Sequence, residues 1–379
     1  MSAMPGARAC CFLIPGDWSI PTGGYTYDRR LVMALRAGGW AVDVRFVEGS
    51  WPHPAAADLA AAEQVVASLA DGTLVVADGL AFGAMAAVVA RHRERLRWVA
   101  LVHHPLHLET GLSDAVRQQL LNNETQALQH ARRVVVTSPS TATDVAAMGV
   151  PRAQIAVVEP GTDPVNTRLR PALSSGPLRL LCVATLTARK GHALLLQALA
   201  GLTHLDWTLH NVGSATRDPG TAAALMAQAQ ALGARVHWHG ELEEAALQAR
   251  YADADVFVLP SLHEGYGMVV AEALAHGLPV VATNAGALAH TLPPQAGLHV
   301  NPGDAVALRT ALARVITDGN LREQLAAGAR AAGRLRSAPI PPPRTDDAVL
   351  PEWLRTWRPR HRQGEASRRR RRPGHRQRA

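Results

Sequence analysis

The segment LPSLHEGYGMVVAEALAHGLPVVAT, residues 259–283, decides the fold of this chain. It continues an apolar run at 256–258, passes through a loop with two glycines and becomes an alanine-rich amphipathic stretch. A second apolar run follows Gly277. These changes of period predict a strand, a tight loop, a helix and a further strand, which together form a βαβ unit.

Two glutamates lie within this unit. Glu264 is in the loop and Glu272 is eight residues further on, which predicts carboxylates on the order of 12 Å apart and roughly 80° apart around the helix. A sugar nucleotide suits this spacing, because its hydroxyls need acceptors at both ends and its diphosphate needs a helix N-terminus between them. The alternative is that Glu264 caps the helix and Glu272 is an exposed surface residue.

The string EGYGMVVAE, residues 264–272, with FVLPS upstream, resembles the E-x7-E signature of the family 4 retaining glycosyltransferases, which have the GT-B fold. The resemblance covers about residues 10–333. It implies that Glu264 contacts the hydroxyls of the transferred sugar and Glu272 the ribose. It also implies that the backbone amides of Gly265, Tyr266, Gly267 and Met268 stabilise charge on the leaving diphosphate.

Composition indicates a globular α/β protein without a membrane-spanning segment. The chain has 379 residues, of which 47% are hydrophobic and 18% charged. Its cysteines, Cys10, Cys11 and Cys182, all lie in apolar runs without metal-ligand spacing, which is typical of buried thiols in a reducing compartment. Neither a signal peptide nor a run of about 20 apolar residues is present. We therefore expect a cytoplasmic protein, with peripheral membrane contact left open.

The positive charge is confined to the C-terminal segment. Residues 334–379 contain 14 arginines and 4 acidic residues, a local charge of +10, so the preceding residues carry −2 of the total +8. Nucleic-acid binding by the body of the chain is therefore not indicated. The Pro- and Arg-rich tail, 336–379, is expected to be disordered. It either binds anionic lipid headgroups or nucleic acid, or results from a shift of reading frame, which the abrupt change of composition favours.

Apolar runs alternate with helix-like segments throughout the remainder. Together with the resemblance, this alternation predicts two Rossmann-like doubly wound α/β domains that face each other across a cleft. We place an acceptor-side domain at 1–164, a linker at 165–176 and a nucleotide-sugar donor domain at 177–335. The predicted strands are 10–14, 41–47, 73–77, 98–103, 134–137, 155–158, 178–184, 207–212, 235–239, 256–259, 280–282 and 298–300. Ligands bind such sheets at the carboxyl ends of the strands.

A glycine pair follows the first strand. Gly23 and Gly24 precede a helix predicted to begin near Tyr27, and glycine allows a phosphate or acceptor to approach the backbone closely. A flexible turn would explain the pair equally. It resembles the glycine pair that lies near the donor diphosphate in family 4 enzymes, which implies a position at the cleft.

Histidines follow the fourth strand. His103 and His104 are placed to hydrogen-bond a sugar or to exchange a proton, although packed polar residues would also fit. Family 4 enzymes have a histidine here that contacts the donor sugar, and His103 is the first candidate, with His104 second. Glu109 is a weaker candidate for acceptor contact, because helix capping explains it as well.

Basic residues follow the first strand of the second half. Arg189 and Lys190 precede a helix, which favours a phosphate site, whereas a solvated basic turn is the alternative. In family 4 an arginine five residues before this lysine also binds the diphosphate, but Thr185 occupies that position here. Arg189 is the candidate to replace it. Gly213 resembles the donor-side glycine of the family.

The pair Asp253 and Asp255 has the Asp-x-Asp form of a metal site. It precedes a strand and therefore lies at the edge opposite the ligand, so we expect neither a metal nor another cofactor.

The resemblance thus implies a retaining glycosyltransferase of hexosyltransferase type, with His103, Glu264 and Lys190 as its catalytic residues. Its partners would be a nucleotide-diphosphate sugar and an unidentified acceptor. The alternative is a degenerate protein that binds a nucleotide sugar or a partner without catalysis, because Thr185 replaces the arginine and no closing C-terminal helix is evident. A nicotinamide dehydrogenase is disfavoured, since no G-x-G-x-x-G follows the first strand of either half.

Overall fold

The computed structural model describes residues 8–163, 165 and 176–336, which form two parallel six-stranded sheets covered by helices. The first sheet contains β1 (Ala9–Pro15), β2 (Ala41–Val47), β3 (Leu74–Asp78), β4 (Arg97–Val102), β5 (Arg133–Val136) and β6 (Ile155–Val157). Its helices are α1 (Gly23–Ala37), α2 (Ala56–Ala67), α3 (Gly79–Phe82), α4 (Ala86–Arg91), α5 (Asp114–Leu128) and α6 (Pro139–Ala147).

The second sheet repeats this plan. Its strands are β7 (Leu178–Val183), β8 (Trp207–Val212), β9 (Val236–Trp238), β10 (Val256–Leu259), β11 (Val280–Thr283) and β12 (Gly297–Val300). Its helices are α7 (His192–Ala200), α8 (Pro219–Ala229), α9 (Glu244–Asp253), α10 (Met268–Ala275), α11 (Leu288–Thr291), α12 (Ala305–Thr317) and α13 (Gly319–Arg336). The predicted strands are confirmed, with ends that differ by no more than a few residues.

The strand order explains where a ligand site forms. The orders are β2-β1-β3-β4-β5-β6 and β12-β11-β10-β7-β8-β9, and all neighbouring strands are parallel. The order reverses between β1 and β3 in the first sheet and between β7 and β10 in the second. In doubly wound sheets such switch points open a crevice at the carboxyl ends of the strands.

Buried apolar strands support the site. All four residues of β10 are buried, and β10 pairs with β7 on one side and β11 on the other. A continuous Val-, Leu- and Phe-rich run is typical of a parallel strand covered on both faces. One apolar core surrounds the second sheet, and two further clusters cover the two faces of the first. The loop after β10 is therefore attached to a rigid base.

Helix α1 begins earlier than the sequence suggested. We expected the glycine pair to form a loop before a helix near Tyr27, but Gly23 is already the first helical residue. The reason is Thr22, whose hydroxyl accepts a hydrogen bond from the amide of Tyr25 at 3.2 Å and so caps the helix. The glycines thus form the first helical turn.

Helix α13 packs closely behind α10. A side chain at Gly333 would collide with the carbonyl oxygen of Leu274, and one at Gly328 with that of Gln295. These glycines allow the helix backbone to approach its neighbours closely. The helix extends to Arg336.

Two predicted segments lie largely outside the described residues. Residues 166–175 of the predicted linker and 337–379 of the predicted tail are in this group, so the domain boundaries stay predictions. Within the part that is described, we find no helix with both the length and the apolar character required to cross a bilayer.

A buried acid supports the loop after β4. Glu124 lies on α5, and its Oε2 accepts a hydrogen bond from the amide of Leu106 at 2.9 Å. Burial raises the pKa of Glu124 to about 8, against 4.5 for the ordinary side chain. Stability from the protonated acid is therefore complete below pH 4.5 and is lost as the pH rises towards 8.

Replacing Glu124 with glutamine removes this titration and keeps an acceptor for the amide. We expect the unfolding free energy of Glu124→Gln, relative to wild type, to rise by roughly 2–4 kcal/mol between pH 5 and pH 8.5. Denaturant unfolding at both pH values measures this change. The control is Glu94→Gln, since the side chain of Glu94 is 87% exposed. Equal pH dependence in both variants would contradict a buried, titrating Glu124.

Candidate active site between the two sheets

A cleft of about 820 Å³ lies between the carboxyl ends of the two sheets. Loops after β1, β4, β7, β8 and β10 contribute to its walls. The residues predicted from the sequence that line it are Gly23, Gly24, His103, His104, Glu109, Arg189, Lys190, Gly213, Glu264, Gly265, Tyr266, Gly267 and Met268. Of the predicted site residues, Glu272 is the one that does not line this cleft.

Glu264 forms a buried ion pair with Lys190. The ammonium Nζ of Lys190 donates to Oε1 of Glu264 at 2.6 Å, and the hydroxyl of Ser261 donates to the same oxygen at 2.6 Å. Burial would raise the pKa of Glu264, but Lys190 and Arg189 outweigh it and lower the pKa to about 2. Glu264 is therefore ionised at neutral pH. Its Oε2 has no hydrogen-bond partner within the described chain and can accept from a ligand.

Arg189 connects the two halves of the molecule. Its Nε donates to Oε1 of Glu109, in the first half, at 2.8 Å. Its NH1 donates to the carbonyl oxygen of His263 at 2.8 Å and lies 3.7 Å from Glu264. Glu109 thus serves as a counter-ion across the cleft, and its backbone also caps the short 3-10 helix Leu106–Leu108.

The loop after β10 contacts the first half directly. The hydroxyl of Thr141 donates to the carbonyl oxygen of Gly265 at 3.2 Å, and that of Tyr266 donates to the carbonyl oxygen of Pro160 at 3.1 Å. A side chain at Gly265 would collide with the carbonyl oxygen of His103. The two halves therefore meet at this glycine, in a closed arrangement.

Gly267 is the N-cap residue of helix α10 and has a left-handed conformation, with φ of 83°. A side chain there would also crowd Leu288. The first amides of a helix have no acceptor within the helix, and they carry its positive dipole end. Because Met268 is the first residue of α10 and lines the cleft, these amides are directed to the region where a diphosphate was expected.

His103 contacts two buried carboxylates. Its Nε2 lies 3.0 Å from Oδ1 of Asp28 and 3.4 Å from Oδ2 of Asp78. Asp28 lies on α1 and Asp78 ends β3, and both are fully buried. Burial would lower the pKa of His103, but the two carboxylates outweigh it and raise the pKa above its ordinary value. The two carboxylates thus favour the charged imidazole. Burial and the neighbouring Asp78 raise the pKa of Asp28 to about 7, although His103 opposes this rise, so Asp28 is ionised above neutral pH.

His104 has a different environment. Its ring packs against that of His263 with centroids 4.6 Å apart, and both of its ring nitrogens are buried without a hydrogen-bond partner. Burial, His263 and Arg189 lower the pKa of His104 well below its ordinary value. It is thus a neutral ring packed between the halves.

Glu272 lies on α10, outside the set of residues that line the cleft. Its Oε2 accepts a hydrogen bond from the hydroxyl of Tyr251 at 2.9 Å. Burial raises the pKa of Glu272 to about 7. Glu272 is thus partly buried beside Tyr251 on α9. It is not an exposed surface residue, and it does not line the cleft.

The position expected to hold an arginine lies in the cleft wall. Thr185 lines the cleft, and its amide lies against Gly213, where a side chain would collide with the carbonyl oxygen of Ala184. Four residues after Gly213, Arg217 also lines the cleft and is exposed. Within the described residues no acidic group pairs with Arg217, whereas both Arg189 and Lys190 are paired.

Metal-type ligands cluster at one place in the described ranges, where Asp28, Asp78 and His103 bring their ligand atoms within 4.8 Å of one another. Nε2 of His103 lies 3.0 Å from Oδ1 of Asp28, which fits a direct hydrogen bond. The three side chains can therefore interact as an ion-paired cluster. Asp255 is engaged elsewhere, because it pairs with Arg179 at 3.2 Å.

Sequence reasoning did not find Asp28, Asp78 or Arg217. Asp78 is the final residue of β3 and directly follows the predicted strand end at Ala77, so the rule of strand carboxyl ends could have found it. Asp28 lies inside α1, where no local pattern marks it. Arg217 belongs to a loop in which only Gly213 had drawn attention.

The chain matches two family models that follow one another along the sequence. Residues 22–166 match the model described as Glycosyltransferase Family 4, and residues 167–332 match that described as Glycosyl transferases group 1. Together with the two doubly wound sheets and the cleft between them, these matches place the chain in the family 4 glycosyltransferases, which have the GT-B fold.

Relatives of similar sequence carry glycosyltransferase names. The D-inositol 3-phosphate glycosyltransferase of Xylanimonas cellulosilytica is 31% identical over 265 residues, covering 63% of this chain and 63% of that protein. The phosphatidyl-myo-inositol mannosyltransferase of Mycobacterium leprae is 36% identical over 151 residues, covering 38% and 39%. The chain therefore spans less than two-thirds of the length of the curated relatives that it matches.

Solved structures share the fold. Sucrose-phosphate synthase from Thermosynechococcus elongatus has a TM-score of 0.70 at 24% identity, covering 86% of this chain and 94% of that one. Anabaena Alr3699/HepE in complex with UDP and glucose has a TM-score of 0.65 at 20% identity, covering 86% and 95%. At this level of identity the likeness establishes the GT-B fold.

Proposed function

We propose that this protein is a glycosyltransferase that moves a sugar from a nucleotide-diphosphate donor to an acceptor, with retention of configuration and without a metal ion. The observation that carries the proposal is the cleft itself, where Glu264, Lys190 and the N-terminus of α10 converge. The complexes of Anabaena HepE with UDP and with UDP-glucose support a donor of this class.

In this proposal the cleft stabilises the leaving diphosphate. Lys190 and the first amides of α10 face the position of the developing negative charge, and such groups act strongly in a site that excludes water. Their positive charge would take the role of a metal ion. Glu264 would accept hydrogen bonds from sugar hydroxyls through Oε2, while its Oε1 remains bound to Lys190 and Ser261.

The role of Glu272 at the ribose rests on the sequence pattern. Its carboxylate is bonded to Tyr251, so contact with a ribose hydroxyl would require it to exchange or share this partner. Retention of configuration likewise rests on the E-x7-E resemblance.

A panel of labelled nucleotide-diphosphate sugars tests the proposal. We expect slow hydrolysis or transfer with at least one sugar donor, and we expect this activity to disappear in His103→Ala and Glu272→Ala. Binding of a donor without turnover, measured by thermal shift, would instead support the degenerate binding protein. A failure to bind any member of a broad panel would refute both the transferase and a nucleotide-sugar-binding protein, and would leave a degenerate protein that binds a partner.

Arg217 is proposed as the second cation at the diphosphate, in place of the arginine absent at Thr185. We expect Arg217→Ala to raise the KM for the sugar donor about tenfold, because a charge-assisted hydrogen bond is lost. Adding Thr185→Arg to this variant should lower KM again. The control is Arg314→Ala, on α12 and absent from the cleft lining. Equal KM values in wild type and Arg217→Ala would remove Arg217 from the diphosphate site.

A further inference from the structure

The cluster of His103, Asp28 and Asp78 has an arrangement that the proposed reaction does not require. Two carboxylates with exposures of 0% and 1% converge on Nε2 of one imidazole. The remaining carboxylate oxygen of Asp28, Oδ2, is buried without a hydrogen-bond partner. Burying a charge is costly unless an opposite charge is present. These two acids therefore need a positive charge beside them, and protonated His103 supplies it.

The orientation of the ring follows from the same contacts. Nε2 is directed between the two acids, and the edge-on ring of Tyr27 packs against the imidazole with centroids 5.2 Å apart. A β-carbon at Gly24 would lie 3.4 Å from the ring, at ordinary van der Waals distance, so α1 packs directly against the imidazole. Nδ1 has no hydrogen-bond partner within the described ranges. It is not buried, and His103 lines the cleft. It is therefore accessible from the cleft.

We propose that Asp28 is a positioning residue that, with Asp78, holds His103 as an imidazolium whose Nδ1–H donates a hydrogen bond into the cleft. The ligand atom it would take is a negatively polarised oxygen of the bound sugar donor, a part of the proposal that rests on the proposed glycosyl transfer. His103 then acts as a fixed charged donor of a hydrogen bond, and no proton leaves the ring during the reaction. A general base would need the opposite, neutral state.

Charged groups around the ring agree with this state. Asp28 and the neutral phenol of Tyr27 face it from α1, and Asp78 faces it from the end of β3. In the pKa of His103, Asp28 and Asp78 are the charges that oppose burial.

Across the cleft, the loop after β10 and the loop after β7 bring one acid and two cations. These are Glu264, Lys190 and Arg189, which pair with one another. Arg189 also pairs with Glu109, so these two acids and two cations carry no net charge together. The charges that act on the pKa of His103 are those of Asp28 and Asp78.

The first test is spectroscopic and needs no turnover. In ¹⁵N-labelled protein, the imidazole signals of His103 are assigned by their loss in His103→Gln. We expect both ring nitrogens of wild type to remain protonated at pH 8. In Asp28→Asn we expect the ring to lose its proton between pH 6 and pH 8. A His103 that is neutral at pH 8 in wild type would overturn the proposal.

The second test is the pH profile of donor turnover. Asp28→Asn should lower kcat about a hundredfold at pH 8, with KM changed less, because one charged hydrogen bond to the reacting ligand is weakened. The loss should be smaller at pH 6, where the imidazole is protonated again. Asp28→Glu, which restores the charge, should recover part of the activity. A loss that is equal at both pH values would show a merely structural role.

Controls separate the possible failures. Asp71→Asn makes the same change at a side chain that is 82% exposed and should leave the pH profile unchanged. Should Asp28→Asn fail to fold, Asp78→Asn removes the second acid, and the same shift in titration is expected. If wild type shows the imidazolium but turns over no sugar donor, the proposed function fails while the charge state stands. Stoichiometric binding of Zn²⁺ or Mg²⁺ that is abolished by Asp28→Asn would overturn the ion-pair assignment.

Discussion

Replacing Lys190 with methionine will lower kcat for the sugar donor on the order of 100- to 1,000-fold. Methionine keeps much of the aliphatic volume of the lysine but removes the ammonium that faces the developing charge on the diphosphate. It also leaves Glu264 buried with Arg189 at 3.7 Å as its nearest remaining cation. Steady-state kinetics with the preferred donor measure the first effect, and denaturant unfolding measures the second.

The double variant Lys190→Met with Glu264→Gln distinguishes catalysis from stability. An unpaired buried charge costs about 3–5 kcal/mol, whereas removing both partners of a pair costs much less. We therefore expect the double variant to regain most of the stability lost in Lys190→Met while it stays inactive. If activity returned together with stability, Lys190 would serve the fold alone, and its catalytic role would be refuted.

Replacing Gly265 with alanine will hold the two halves apart. Since a β-carbon there collides with the carbonyl oxygen of His103, one of the two loops has to shift. A displacement of about 1 Å in a catalytic group lowers turnover about a hundredfold, so we expect a loss of kcat of at least this size. Small-angle scattering with saturating donor should show a larger radius of gyration than in wild type.

Gly220→Ala is the matched control, because it places the same methyl group in α8, where the nearest atom is 3.8 Å away. It should leave both turnover and scattering unchanged, and helix propensity favours it slightly. Normal kcat in Gly265→Ala would mean that catalysis does not depend on the contact between the loop after β10 and His103.

Features encoded by neighbouring residues could be predicted well. Strands such as β2 and β8 were predicted with their observed ends, because apolar runs bounded by polar turns determine both the strand and its burial. Glu264 to Met268 and Lys190 line the cleft for the same reason, since each lies between a predicted strand and the helix that follows it, or begins that helix.

Features that depend on distant pairs could not be predicted. Asp28 and His103 are 75 residues apart, and Glu109 and Arg189 are 80 apart. No local period records such pairs, so Glu109 was considered for capping and Asp28 was not considered. Glu272 shows the limit of helix geometry, since the angle around an axis does not reveal that Tyr251 from another helix will bind its carboxylate.

Helix α13 contacts the elements around α10 through glycines. Through these contacts, a helix far from the cleft can affect catalysis. Because Gly333 rests against the carbonyl oxygen of Leu274, any bulkier residue there would tilt α10 about its far end. A tilt at that end swings the opposite end, where the amides point into the cleft. Natural variation at residues 328–333 would therefore change the direction of the amides proposed to bind phosphate. Conservative substitutions in this helix would then change turnover more than their distance from the ligand suggests.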